Sequence, residues 1–150
     1  MTANPPLCRR VAARDDLAAC FAIRQVVFVE EQQVAPEIDR DGLDDACIHY
    51  MAEIAGKPVA TARVQMQPGR IKIQRVAVLR EARGKRVGEA LMRFLMDDLA
   101  ASDEATGREF FLSSQAQAIP FYERLGFTVC SDEYPDAGIP HRDMRAEIAR

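Results

Sequence analysis

The stretch from Ile71 to Ser114 constrains the fold more than any other part of the chain. A β-branched run, Ile71 to Leu79, enters a basic turn and then a helix in which Val87, Leu91, Leu95 and Leu99 recur every four residues, supported by Ala90 and Phe94, to about Ala101. Gly107 separates that helix from a second apolar run, Glu109 to Ser114. Strand, helix and strand in this order imply a right-handed crossover between parallel neighbours. The first of these strands also breaks its own pattern. Ile71 and Ile73 alternate with Lys72 and Gln74, yet Val76 and Val78 fall on the opposite parity. Side chains alternate with a period of two, so keeping both pairs on one face needs an extra residue, a β-bulge near Gln74 or Arg75. A strand buried on both faces would explain the pattern too, since Ala77 and Leu79 are apolar.

The rest of the chain supplies antiparallel partners. Leu7 to Ala13 reads as a first strand, and Asp15 or Asp16 can cap a helix from about Leu17 to Glu31, with Leu17, Cys20, Phe21, Ile23/Arg24 and Val27/Phe28 near helical spacing. A polar loop, Gln32 to Ala46, follows. Ile48 to Ile54 and Pro58 to Gln65 read as strands joined across Ala55-Gly56-Lys57, and Gln67-Pro68-Gly69-Arg70 has Pro and Gly in the type II turn positions. Pro120 suits the first turn of a further helix ended by Gly126, with Phe127 folding back on it. Phe127 to Cys130 and Arg142 to Ile148 are the last two strands, separated by a long loop. The expected architecture is α+β: a mixed, mostly antiparallel sheet of six to seven strands, one parallel βαβ unit and about four helices.

Composition narrows the function. The chain has 150 residues, 48% of them hydrophobic, which suits one domain with one core. With 20 basic and 23 acidic residues the net charge is −3, so no global field favours nucleic acid or an anionic membrane. No stretch approaches the ~20 apolar residues of a membrane span, and the amino terminus has no apolar signal region. Cys8, Cys20, Cys47 and Cys130 lack paired spacing, and His49 and His141 lie far apart, so no metal signature is present and a cytoplasmic protein with reduced thiols is expected.

Chemistry is expected at the carboxyl end of the parallel strand, beside the next helix. Free N–H groups at a helix start, and the helix dipole, favour an anion there. Gly84 and Gly88 let the main chain approach, while Arg80, Arg83, Lys85 and Arg86 bring charge. A merely solvated helix start is the plainer reading. Neither GxxxxGK[ST] nor GxGxxG is present, which argues against a P-loop hydrolase or a dinucleotide site.

The run VAVLREARGKRVGEALM, followed by FFLSSQAQAIPFYERLGF, resembles the acyl-CoA-dependent GNAT N-acetyltransferase superfamily, whose [Q/R]xxGx[G/A] turn binds the coenzyme A pyrophosphate. IRQVVFVEEQ, PVATAR and AGIPHRDM narrow the resemblance to the ElaA-like branch. Arg83 and Gly88 match the turn motif, but Arg86 stands at its first glycine, where that branch usually has a basic residue. Arg86 is expected early in the helix with helical φ, its side chain turned away or toward the phosphates.

The resemblance implies acetyl-CoA as cosubstrate, no metal, and direct transfer to a primary amine on a small molecule or peptide. It places the pantetheine arm on the backbone of Val76, Ala77 and Val78. The pyrophosphate falls to the turn from Arg83 through Gly84, Lys85, Arg86 and Val87 to Gly88, with Arg80 or Arg83 reaching phosphate oxygens. It makes Tyr122 the proton donor to the departing thiolate, though a lone Tyr can equally be a packing residue. Relatives are often dimers, so a homodimer is an expectation. Gln115 and Gln117 either touch ligand or cap the helix.

For the base, His141 and Glu31 stand ahead of His49 and Glu30, although an amine can also lose its proton to water. The segment EIDRDGLDD mimics calcium-loop spacing but has Ile48 where a bidentate Glu is needed. Its carboxylates Asp39, Asp41, Asp44 and Asp45 are expected to attract a cationic amine. The alternative to an enzyme is a non-catalytic acyl-CoA-binding or partner-binding module of the same fold.

Overall fold

A computed structural model describes residues 4–12 and 14–148. Its centre is one sheet of eight strands in the order β1-β2-β3-β4-β5-β8-β6, with β7 paired to β8. The strands are β1 (Leu7–Arg10), β2 (Ile48–Ile54), β3 (Lys57–Gln67), β4 (Arg70–Val78), β5 (Glu109–Gln115), β6 (Thr128–Val129), β7 (Tyr134–Asp136) and β8 (Ile139–Ala146). All pair antiparallel except β4 with β5, which are parallel and joined through helix α3 (Val87–Ala100), as the strand–helix–strand pattern requires.

Period-two alternation sorts the faces. Tyr50, Ala62, Val64, Ile71, Ile73 and Leu112 point one way and meet Leu91, Met92, Leu95 and Leu99 of α3 in the main core. The same four-residue spacing that marks α3 in the sequence thus puts its apolar stripe on the sheet. Phe94 sits at the edge of that stripe, 36% exposed, with its ring against Tyr50. The opposite face carries α1 (Arg14–Arg24) and its π-helical continuation, Gln25–Glu31, where Ile23 and Val27 cover Ala77.

Several boundaries differ from expectation. The first strand ends at Arg10, with Val11 adding one N–H bond to the His49 carbonyl; Ala13 lies outside the described residues. The first helix starts at Arg14, so Asp15 and Asp16 fall inside it, and the Asp16 carboxylate is bound by Arg9 of β1 instead of capping. The polar loop folds into α2 (Pro36–Asp39) and a 3-10 turn, Asp44–Ala46. The last long loop contains β7, linked to β8 by Ala137 and Gly138 at φ 52° and 75°, a type I′ hairpin turn. Helix α4 (Ile119–Glu123) ends as read: the Phe127 N–H bonds the Tyr122 carbonyl and the Gly126 N–H that of Glu123, a Schellman close around Gly126 at φ 100°.

The bulge is present. Thr61 faces Ala77 and Arg63 faces Gln74, leaving Arg75 and Val76 opposite Ala62 alone. Arg75 takes φ 55°, a left-handed conformation that costs a non-glycine residue ~1–3 kcal/mol. Its guanidinium offsets that cost by donating to the carbonyls of Ile38 and Asp39 and to the Asp41 carboxylate, at 3.0, 3.3 and 3.3 Å.

These bonds belong to a larger ion network. Arg24, at a core position of α1 and 0% exposed, donates to Asp39 at 3.1 Å and to Asp44 at 2.6 Å, and Arg63 of β3 reaches Asp41 at 2.8 Å and Asp44 at 3.0 Å. A buried guanidinium without such partners would cost several kcal/mol. Arg63 holds the Asp41 carboxyl far below the usual carboxylate range.

Two substitutions separate the strain at Arg75 from its bonds. Arg75→Gly keeps the positive φ without strain and loses the side-chain bonds; Arg75→Ala loses the bonds and keeps the strain. Urea unfolding should rank wild type above R75G, and R75G above R75A by about 1 kcal/mol. An R75A protein as stable as R75G would contradict this reading of the bulge.

Candidate active site

The bulge opens the sheet. The parallel ladder of β4 and β5 ends at Ile73 and Leu112, although β4 continues to Val78 and β5 to Gln115, so the two strands splay apart. The Leu79 N–H bonds the Val59 carbonyl at 2.8 Å. Hydrogen bonding alternates along an antiparallel strand, so Ala77 bonds inward to β3 while the main-chain groups of Val76 and Val78 face the gap. A cleft of about 890 Å³ fills it, walled by Val76, Ala77 and Val78, by the start of α3, by α4, by the end of the π-helical turn and by the β7–β8 hairpin.

One end of the cleft is the basic turn. Arg83, Gly84, Arg86, Val87 and Gly88 line it, whereas Arg80 and Lys85 are exposed outside the wall. No side chain caps α3, and the first bond of the helix runs from the Ala90 N–H to the Arg86 carbonyl, so the amides of Val87, Gly88 and Glu89 have no partner within the helix. Fourteen residues of aligned dipole end there. The residue at the motif's first glycine corrects the expectation: Arg86 is the N-cap with φ 60° and ψ 23°, left-handed rather than helical. A glycine at that place would relieve the backbone strain that φ 60° imposes on an arginine. Gly84, at φ 77°, needs its freedom for the same reason.

Arg83 lies across the cleft. Its Nε donates to the Val78 carbonyl at 3.0 Å and its guanidinium pairs with Glu31 at 2.8 Å, with Arg80 3.9 Å from the same carboxylate. Glu31 therefore reaches the cleft, while Glu30 is exposed away from it. The π-helical turn causes this: the Gln32 N–H bonds the Val27 carbonyl five residues back, which widens the helix and swings its end toward β5. There Gln115 donates to Gln32 at 2.7 Å and accepts from Gln117, so both glutamines make protein contacts at the wall.

Tyr122 lines the cleft from α4, its ring edge-on to Phe121 and Phe127. Burial alone pushes its phenol above the ordinary range, which keeps the proton on. His141 opens the other end. Its Nδ1 is 2.7 Å from the Ile139 carbonyl, an acceptor, so Nδ1 carries the proton and Nε2 keeps the basic lone pair. The ring stacks on Tyr134. His49 is elsewhere: it donates through Nε2 to the Asp44 carbonyl at 2.9 Å, packs on Phe21, and has its pKa lowered by burial.

The acidic loop does not act as expected. Asp39, Asp41 and Asp44 are bound to arginines, and Asp45 is exposed. The loop borders the cleft through Val34, Ile38 and Asp39; Asp39 and Asp41 pair with Arg75 at the bulge, and Asp44 with Arg24 and Arg63. No group of His, Cys, Asp and Glu among the described residues could hold a metal, and no helix is long and apolar enough to cross a membrane.

A splayed parallel pair, a bulge and an uncapped basic turn agree with the comparisons to known proteins. Residues 18–148 match the family model "Acetyltransferase (GNAT) domain", and the chain belongs to that family. It is an acetyltransferase that uses acetyl-CoA. The uncharacterized N-acetyltransferase YjcF of Bacillus subtilis is 39% identical over 131 residues, covering 87% of this chain and 91% of that protein. Among solved structures, Escherichia coli ElaA has a TM-score of 0.83 at 27% identity, covering 95% of this chain and 100% of that one. An acyl-CoA N-acyltransferase from Pseudomonas aeruginosa has a TM-score of 0.76 at 30% identity, covering 95% and 98%.

Two outcomes follow from the turn. Arg86→Gly should raise stability by up to about 1 kcal/mol in urea unfolding, because glycine adopts a left-handed φ freely; a loss of that size would place Arg86 elsewhere. Glu31→Gln should tighten calorimetrically measured CoA binding about two- to fivefold, since Arg83 no longer leaves an ion pair to meet phosphate. Unchanged or weaker binding would show that the pair does not oppose the cofactor.

Proposed function

We propose that the chain transfers the acetyl group of acetyl-CoA directly to a primary amine, as an ElaA-like member of its family. The observation that carries this is the convergence, in one cleft, of the open β4 edge, the uncapped turn and the side chains of Tyr122 and His141. The amides of Val87 and Gly88, with the side chains of Arg83 and Arg86, hold the pyrophosphate. The main chain of Val76 and Val78 holds the pantetheine arm, and the Val76 N–H polarises the thioester carbonyl.

The neutral amine attacks the carbonyl carbon, forming C–N; the oxyanion collapses and C–S breaks. Tyr122 donates its proton to the thiolate. Its raised pKa does not forbid this, because the same burial raises the thiolate formed beside it. The proton lost by the amine goes to Nε2 of His141 or to water, and Glu31, once Arg83 has turned to the phosphates, offers a carboxylate to the incoming ammonium. Support for the ElaA-like placement is the run IRQVVFVEEQ, whose Arg24 and Glu31 are, respectively, the centre of the ion network and the partner of Arg83.

Replacing Tyr122 by Phe should slow amine-dependent thiol release by about tenfold to a hundredfold or more while CoA affinity stays within about twofold. A large loss of affinity with little loss of turnover would make Tyr122 a packing residue.

A further inference from the structure

The cleft extends past the bulge, away from the turn, and there its floor carries a cation that makes no hydrogen bond or ion pair among the described residues. Lys72 has the parity of Gln74, so it leaves the sheet on the face opposite α3, and it lines the cleft with Ser113 of β5 and with Asp136 and Ile139 of the hairpin. It is half-buried, and no ion pair or hydrogen bond reaches its ammonium among the described residues.

Its charged neighbours make no direct bond to it, and the carboxylates of Asp143 and Asp136 act on it only through space. On its own strand, Arg75 is bound to the α2 loop, and Arg70 donates to Gln67 at 2.6 Å with its guanidinium 3.8 Å over the Phe111 ring. Across the sheet, Asp143 of β8 accepts hydrogen bonds from the hydroxyls of Ser113 and Tyr134. Asp136 is exposed on the hairpin. Burial, and next the Arg70 charge, lower the pKa of Lys72 against a smaller opposing pull from Asp143 and Asp136, and a bound anion would offset the cost that is left.

We infer that Lys72 is an acceptor subsite for a carboxylate, and that the substrate is an amine that also bears a carboxylate. This rests on the acetyl-transfer reading, which sets the thioester over Val76. Lys72 lies four residues before Val76, and the bulge at Arg75 between them brings the span below the roughly 13 Å of a regular strand. An acceptor bound to Lys72 and attacking over Val76 therefore carries its amine several bonds from its carboxylate, as ω-amino acids do. Neighbouring Ser113 and Ile139 give that linker one polar and one apolar wall.

The test compares γ-aminobutyrate, δ-aminovalerate and ε-aminocaproate with n-pentylamine and cadaverine, following thiol release from acetyl-CoA. At least one ω-amino acid should exceed both uncharged-tail and dicationic amines in kcat/KM by about tenfold, the size of one charge-assisted hydrogen bond. Lys72→Met should bring that acid down to the level of pentylamine, mainly through KM, and Lys72→Arg should keep most of the preference. Calorimetry with CoA on each protein shows that the cofactor site is intact. Absence of CoA binding to the wild type overturns the acetyl-transfer reading itself. CoA binding with cadaverine or pentylamine as the better acceptor, or a carboxylate preference that survives in K72M, overturns the Lys72 subsite alone.

Discussion

A strand that carries one residue more than its neighbour must kink, and in this chain the kink at Arg75 decides how far β5 can follow β4. Below it the two strands share a regular parallel ladder; above it they part, and the main-chain groups of Val76 and Val78 are left without a strand to pair with. Backbone donors and acceptors that neighbouring strands do not use are what an amide-bearing arm such as pantetheine needs. The parallel crossover places the start of α3 at the same end, so the uncapped turn and the open strand edge border one cleft.

Holding that distortion takes charge. Three arginines from three elements, Arg24 of α1, Arg63 of β3 and Arg75 of β4, converge on Asp39, Asp41 and Asp44 of one loop. The loop is thereby fixed as the cleft wall, with Asp39 and Asp44 buried in their own ion pairs. Glu31 and Arg83 form a different kind of pair. It is partly exposed, spans the cleft, and shares its arginine with the Val78 carbonyl, so breaking it costs little.

Much of this is legible in the sequence where periodicity or steric rules act locally. The parity slip between Ile73 and Val76 revealed the bulge, the four-residue spacing of Val87 to Leu99 revealed α3 and its crossover, and Gly126 marked the end of α4. What escaped depends on geometry that side-chain type does not encode. Arg86 occupies a left-handed position that its family fills with glycine, and nothing about an arginine announces φ 60°. The β7–β8 turn was hidden because Ala137, not Asn or Asp, takes its first left-handed position. Arg24 shares a helical core position with Ile23 in the spacing pattern, but its burial requires acids from a loop 15 to 20 residues away. A repeated charged pattern, EIDRDGLDD, alongside isolated arginines in apolar segments is the signal that could have suggested an internal network.

Acetyl-CoA seated on the outward groups of β4 above the bulge would shield their amides from solvent. Amide hydrogen exchange followed by NMR, with and without acetyl-CoA, reads those groups directly. Protection should appear at Val76 and Val78 and at the turn amides of Val87 and Gly88, with little change at Ala77, which already donates to β3. Protection at Ala77 with none at Val76 and Val78, or no change anywhere along β4 in a protein that binds acetyl-CoA, would contradict the account.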